Sequence, residues 1–203
     1  MNKKHFSTGL LSLAFVTLAA YAADNSHSKL DTWQASDGTV IGSPTINGSS
    51  AKLTRGDGLV WIRVNTTSLP AGAYTNWWVI FNNPDACGPP GCGGKDFPFN
   101  GGDPAVSASA LFATGGVVTD NGVGHFRAHL EENDVSGEVL FGPGLSTADG
   151  AEIHIIVRYH GPAGAGDVLT AQTTTFGGGC SNVPNPYPIF PCYDPQATAL
   201  PRP

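Results

Sequence analysis

The chain has 203 residues, with 10 Lys+Arg against 16 Asp+Glu, a formal net charge of -6 and only 13% charged residues. An acidic chain so poor in Lys and Arg is ill suited to nucleic acid, because phosphate contacts supply most of that affinity. Its 27 Gly and 16 Pro punctuate a sequence that is 40% hydrophobic, which excludes collagen, coiled coil and full disorder; the length suits one domain.

Lys3 and Lys4 precede an apolar run from Leu10 to Ala20, and Ala20-Tyr21-Ala22 supplies small residues for cleavage before Ala23. Residues 1–22 therefore read as a secretory signal peptide. The run is too short to cross a bilayer, and no later apolar stretch approaches the roughly 18 residues a membrane helix needs. The expectation is a secreted or periplasmic protein with no membrane span after cleavage.

From Ala23 onward no segment shows helical periodicity. Short alternating or β-branched runs separated by Gly, Pro, Asn and Asp predict strands. In chain order these are Leu30–Gln34, Ala51–Arg55, Leu59–Thr66, Thr75–Phe81, Val106–Ala113, Val123–Leu130, Val135–Phe141, Glu152–His160 and Val168–Thr174. Such a series predicts an all-β fold, an antiparallel β-sandwich, with a β-barrel as the alternative. The segment Trp77–Phe81 is apolar on both faces and reads as a central, buried strand. Val123–Leu130 and Val135–Phe141 read as a hairpin around Glu131–Asp134, which sets Phe126 against Val139 and Arg127 against Glu138. The sandwich is expected over 23–176. The Pro-rich stretch 177–203 is expected to be an irregular tail.

Four cysteines, Cys87, Cys92, Cys180 and Cys192, allow three pairings. The reading favours two local disulfides, Cys87–Cys92 and Cys180–Cys192, each stapling a Pro/Gly-rich loop. Zinc is the competing reading, but the spacings fit a finger poorly and export favours oxidation.

Four histidines, His125, His129, His154 and His160, fall on the polar faces of two predicted strands. His is the commonest metal ligand, so their convergence would make a copper or zinc site, possible in an oxidoreductase-like protein. Residues i and i+4 on a strand lie about 13 Å apart, and Arg127 and Arg158 oppose a cation there. A solvated polar face is the plainer reading. The same residues, with Arg127 and Arg158, also suggest a cleft for an anion or sugar, with Glu138 or Glu152 as acid or base. No nucleophile elbow, zincin, phosphate-loop or dinucleotide motif is present. Trp33, Trp61, Trp77 and Trp78 suggest core packing or a sugar-stacking platform, and Trp61 is the best candidate for exposure. Asp57, Asp103 and Asp120 suggest either calcium ligands or turn residues, and read more simply as turn residues.

Three blocks taken together, WWVIFNNP at Trp77–Pro84, HFRAHL at His125–Leu130 and EIHIIVRYHGPAGAG at Glu152–Gly166, followed by FGGGC at Phe176–Cys180, resemble a group of uncharacterised secreted bacterial proteins. The resemblance covers roughly Leu59 to Cys192 and implies no particular activity. Tyr159–Gly164 is also similar to the HIHGPA signature of CHRD domains, which are secreted β-rich modules, but Arg158-Tyr159 replace the family's His-Ile. The functional expectation is a non-enzymatic binding or envelope-associated module. Its partner is expected to be a glycan or an envelope protein, and it needs no cofactor. The alternatives are a His-dependent metal protein and a carbohydrate-active protein.

Overall fold

The computed structural model describes residues 24–36 and 39–202. The predicted signal peptide and the side chain of Trp33 lie outside the described residues. Eleven strands are formed: β1 Asp24–Ser28, β2 Asp31–Ser36, β3 Thr39–Thr45, β4 Ser50–Gly56, β5 Leu59–Thr66, β6 Gly72–Phe81, β7 Ala108–Val118, β8 Gly124–Glu131, β9 Val139–Phe141, β10 Glu152–Tyr159 and β11 Tyr193–Leu200. One α-helix, α1, spans Asp167–Thr174. The strands make two antiparallel sheets, β1-β4-β5-β8 and β3-β2-β11-β10-β6-β7-β9. Both sheets are open, so the fold is sandwich-like and no barrel closes.

Alternation builds the core. Leu53, Val60, Ile62, Val64, Phe126 and Leu130 of the smaller sheet meet Trp78, Ile80, Leu111, Ile153, Ile155 and Leu200 of the larger. Every residue of β6 is buried, as its two-sided apolar pattern requires, because its second face is covered too. Val79 and Phe81 pack there with Val106 and Phe97 from the long β6–β7 connection. That connection is stapled by Cys87–Cys92, and Cys180–Cys192 closes the second predicted disulfide.

Three expectations are corrected. The β8–β9 hairpin does not form. β8 pairs with β5, which sets Arg127 opposite Arg63, whereas β9 pairs with β7 in the other sheet. A four-residue loop permits a hairpin, but Phe126 and Leu130 are buried as part of the smaller sheet, and the chain then crosses between layers. The Thr-rich stretch 168–174 is helix α1 rather than a strand. Its hydroxyls fold back on the helix: Thr173 donates to the Leu169 carbonyl at 2.8 Å and Thr174 to the Thr170 carbonyl at 2.6 Å. Gly115 of β7 admits it, since a Cβ there would lie 1.9 Å from the Thr173 carbonyl oxygen. Finally, the tail is not irregular throughout. β11 lies between β2 and β10, inside the larger sheet. Pro195 is tolerated because the register shifts there: Val157 faces Gln196 and Tyr159 faces Tyr193. Asp194 and Pro195 thus oppose Arg158 alone, a bulge in which proline forfeits no ladder bond.

Asn76 is the anomaly of the core. It is 2% exposed on the inner face of β6, and neither polar atom of its amide finds a hydrogen-bond partner among the described residues. A buried polar group without a partner costs about 1–3 kcal/mol. Asn76→Leu should therefore raise stability by a similar amount, seen as a higher urea midpoint at unchanged slope. A lower midpoint would mean that the amide supports the core as it stands.

Candidate functional site

The smaller sheet buries one face and leaves the other in water. The outward residues of β4, β5 and β8 fall into register as rows. One row crosses four strands as His27, Lys52, Arg63 and Arg127. The next holds Asn25, Thr54, Trp61 and His129. Directly opposed residues of an antiparallel pair share a face, and Lys52, Arg63 and Arg127 are all exposed. Neighbouring strands lie about 4.8 Å apart, so three cations stand side by side across about 10 Å of sheet. Like charges in register repel, and no carboxylate of a described residue forms an ion pair with them. Among the described residues the ion pairs are Lys95–Asp96, Glu152–His154, Arg158–Asp194 and Asp85–Arg202. The closest acid in register, Glu131, is four residues along β8 from Arg127, roughly 13 Å away.

Trp61 is 45% exposed beside this row. It is open because none of the described residues covers this face of the sheet; its strand is interior, not an edge. Its ring reaches over Gly56, which has no side chain to displace it. Lys52, Thr54, Trp61, Arg63, Arg127 and His129 border one shallow depression of about 340 Å³. The chain is acidic overall, yet this face is cationic with an aromatic platform.

The four candidate metal-ligating histidines do not come together. His125 and His129 are exposed on β8, and the His125 Nδ1 lies 2.8 Å from the Asn65 Oδ1. His154 lies on the other sheet, its Nε2 2.7 Å from the Glu152 Oε1 and its ring 5.0 Å from that of Phe81. His160 is wholly buried. The Trp77 indole N–H donates to the Thr75 hydroxyl at 2.8 Å, and that hydroxyl lies 2.7 Å from the His160 Nε2. The His160 Nδ1 lies 2.6 Å from the Gly178 carbonyl oxygen. A carbonyl only accepts, so Nδ1 carries the proton and Nε2 accepts from Thr75. Burial pushes the His160 pKa down to about 4, and the ring is neutral. The Sγ atoms of Cys180 and Cys192 each lie 3.6 Å from Nδ1. These three residues have the compactness of a metal site, but the sulfurs are bonded to each other and Nδ1 holds a proton.

Of the other candidates, only Arg127 and Trp61 share the exposed face. Glu138 accepts the Phe176 amide N–H at 2.8 Å. Glu152 is engaged with His154. Arg158 is buried; it donates to Asp194 at 2.8 Å and to the Phe176 carbonyl at 3.0 Å, and stacks 3.9 Å from the Phe176 ring centre. Asp103 caps a turn by accepting the Ala105 N–H at 2.8 Å, and Asp57 lies in the β4–β5 turn. Sequence reasoning missed Lys52 and Arg63. Their signal was the Asp57-Gly58 pair, a two-residue hairpin turn that fixes Lys52 against Arg63.

With this geometry in view, comparison with protein-family models, curated proteins and solved structures returns no match.

Proposed function

We propose that the chain is a secreted or periplasmic binding module whose open four-stranded face engages an anionic polysaccharide of the cell envelope. The observation that carries this reading is the unneutralised row Lys52–Arg63–Arg127 beside exposed Trp61. Cations one strand apart suit a polymer with an acidic group on successive sugars. An indole face stacks on the apolar side of a sugar ring. Duplex nucleic acid is a poorer fit. It carries a charge about every 1.7 Å, which three cations on an acidic protein match badly. Two disulfides are compatible with an oxidising compartment, and no helix among the described residues is long and apolar enough to cross a membrane.

Calorimetric titration with polygalacturonate, using neutral dextran of similar length as control, tests the proposal. Polygalacturonate should bind and weaken as salt rises, because exposed charges are screened. Arg63→Ala/Arg127→Ala should cost about tenfold in affinity, or about 1.4 kcal/mol, and Trp61→Ala several-fold. All three positions are exposed, so the variants should fold. Equal affinity for dextran, or an undiminished double variant, would sink the reading.

A further inference from the structure

The outer face of the seven-stranded sheet carries a second opening, independent of the polysaccharide surface. It is a cavity of about 300 Å³ between β6, β10, β9 and the segment around Phe97, at the lower end of the range of small-molecule sites. Phe97, Phe99 and Phe141 make one wall, with ring centres 5.0, 5.4 and 5.5 Å apart in mutual contact. Phe99 is 70% exposed and Leu140 37% exposed, so part of this aromatic wall stands in water.

One charged residue, Asp194, borders the cavity. Its Oδ1 accepts from the Arg158 guanidinium at 2.8 Å, and its other oxygen takes no hydrogen bond from any described residue. Arg158 is fixed from two further sides, by the Phe176 carbonyl and the Phe176 ring. The carboxylate charge is therefore already matched. A cationic ligand would compete with a guanidinium that cannot leave, and an anionic one would meet the free oxygen. A neutral donor satisfies it.

We propose that this cavity binds a small, neutral, ring-bearing apolar molecule with one hydrogen-bond donor, of the phenol or indole class, with the rings against Phe97, Phe99 and Phe141 and the donor on the free oxygen of Asp194. A site built around an unpaired acceptor discriminates against the analogue that lacks the donor.

The test uses 2-naphthol and its methyl ether, 2-methoxynaphthalene, titrated into the full chain and followed by calorimetry or ligand-detected NMR. 2-Naphthol should bind saturably, at least tenfold more tightly than the ether. Asp194→Asn keeps an oxygen for Arg158 but puts an amide N–H₂ in place of the free acceptor, so it should bring the two affinities within about twofold. Phe99→Ser, at an exposed position, should weaken both compounds several-fold. If Asp194→Asn does not fold, the wild-type ratio and the Phe99→Ser loss decide the matter. Absence of saturable 2-naphthol binding, equal affinities in the wild type, or binding unchanged in Phe99→Ser would each overturn the proposal.

Discussion

A chain ending at Cys192, with both disulfides intact but residues 193–203 removed, is expected not to fold. β11 fills the gap between β2 and β10, so its loss splits the larger sheet, strips one neighbour from each of those strands and exposes the surface that Leu200 seals. It also strips several buried groups at once. Arg158 loses Asp194, and breaking a buried ion pair from one side costs about 3–5 kcal/mol. Gln196 no longer donates to the Thr67 carbonyl or accepts from the Thr66 hydroxyl, and Thr198 no longer donates to the Lys29 carbonyl. Arg55, 1% exposed, loses the Pro201 carbonyl. Against a total stability of about 5–15 kcal/mol for a typical domain, the sum is fatal. The expected result is a featureless urea titration by circular dichroism. A graded companion is Leu200→Ala, which should cost about 2–5 kcal/mol. If the truncated chain unfolds cooperatively near the full-length midpoint, the placement of β11 is wrong.

Stability should also fall between pH 6.5 and about 4, with His160 as the main contributor. In the unfolded chain the imidazole takes a proton near its ordinary value, whereas burial holds it to about 4 in the folded protein. The unfolded state therefore binds more protons across that window, and acid favours it. The stability is fully present above pH 6.5 and is lost as the pH approaches 4. The gap corresponds to about 3 kcal/mol. His160→Gln should be less stable at pH 7, because the Thr75 and Gly178 bonds are disturbed, but should show a flatter dependence below pH 6.5. Asp194, its carboxyl pushed upward chiefly by burial, acts in the opposite sense in both proteins, so the difference between the two curves isolates His160. Parallel curves would mean that His160 is protonated or exposed in the folded state.

What the sequence made legible was local. Alternation located β5, β6 and β10 within a few residues, and the two-sided apolar run of Trp77–Phe81 correctly marked the buried strand. Cysteine spacing and Gly/Pro content pointed to the two local disulfides. Partner choice was not legible. Phe126 and Val139 alternate as a hairpin should, yet each strand pairs with a segment far away because the two belong to different layers. Pro195 argued against a central strand, and only the bulge opposite Arg158 makes it acceptable. Val168–Thr174 has the composition of a strand, but close approach over Gly115 and the side chain of Gln172 hold it helical. Gln172 donates to the His160 and Pro162 carbonyls at 3.0 Å each. The histidines shared a polar pattern without sharing a place. The cationic row needed a register across three strands, and single-strand periodicity does not supply one.

The position of β11 also governs when the molecule can form. It is the last of the described strands in chain order, and it alone joins the β2–β3 pair to the rest of the larger sheet. The contact between Thr198 and Lys29 spans 169 residues. Closing so long a loop must precede the pairings that reward it, which slows folding. Until β11 has been made, the smaller sheet has all its strands but the larger one lacks the strand that unites it. A copy cut short of β11 leaves the facing edges of β2 and β10 open, where a protease can take them as extended substrate.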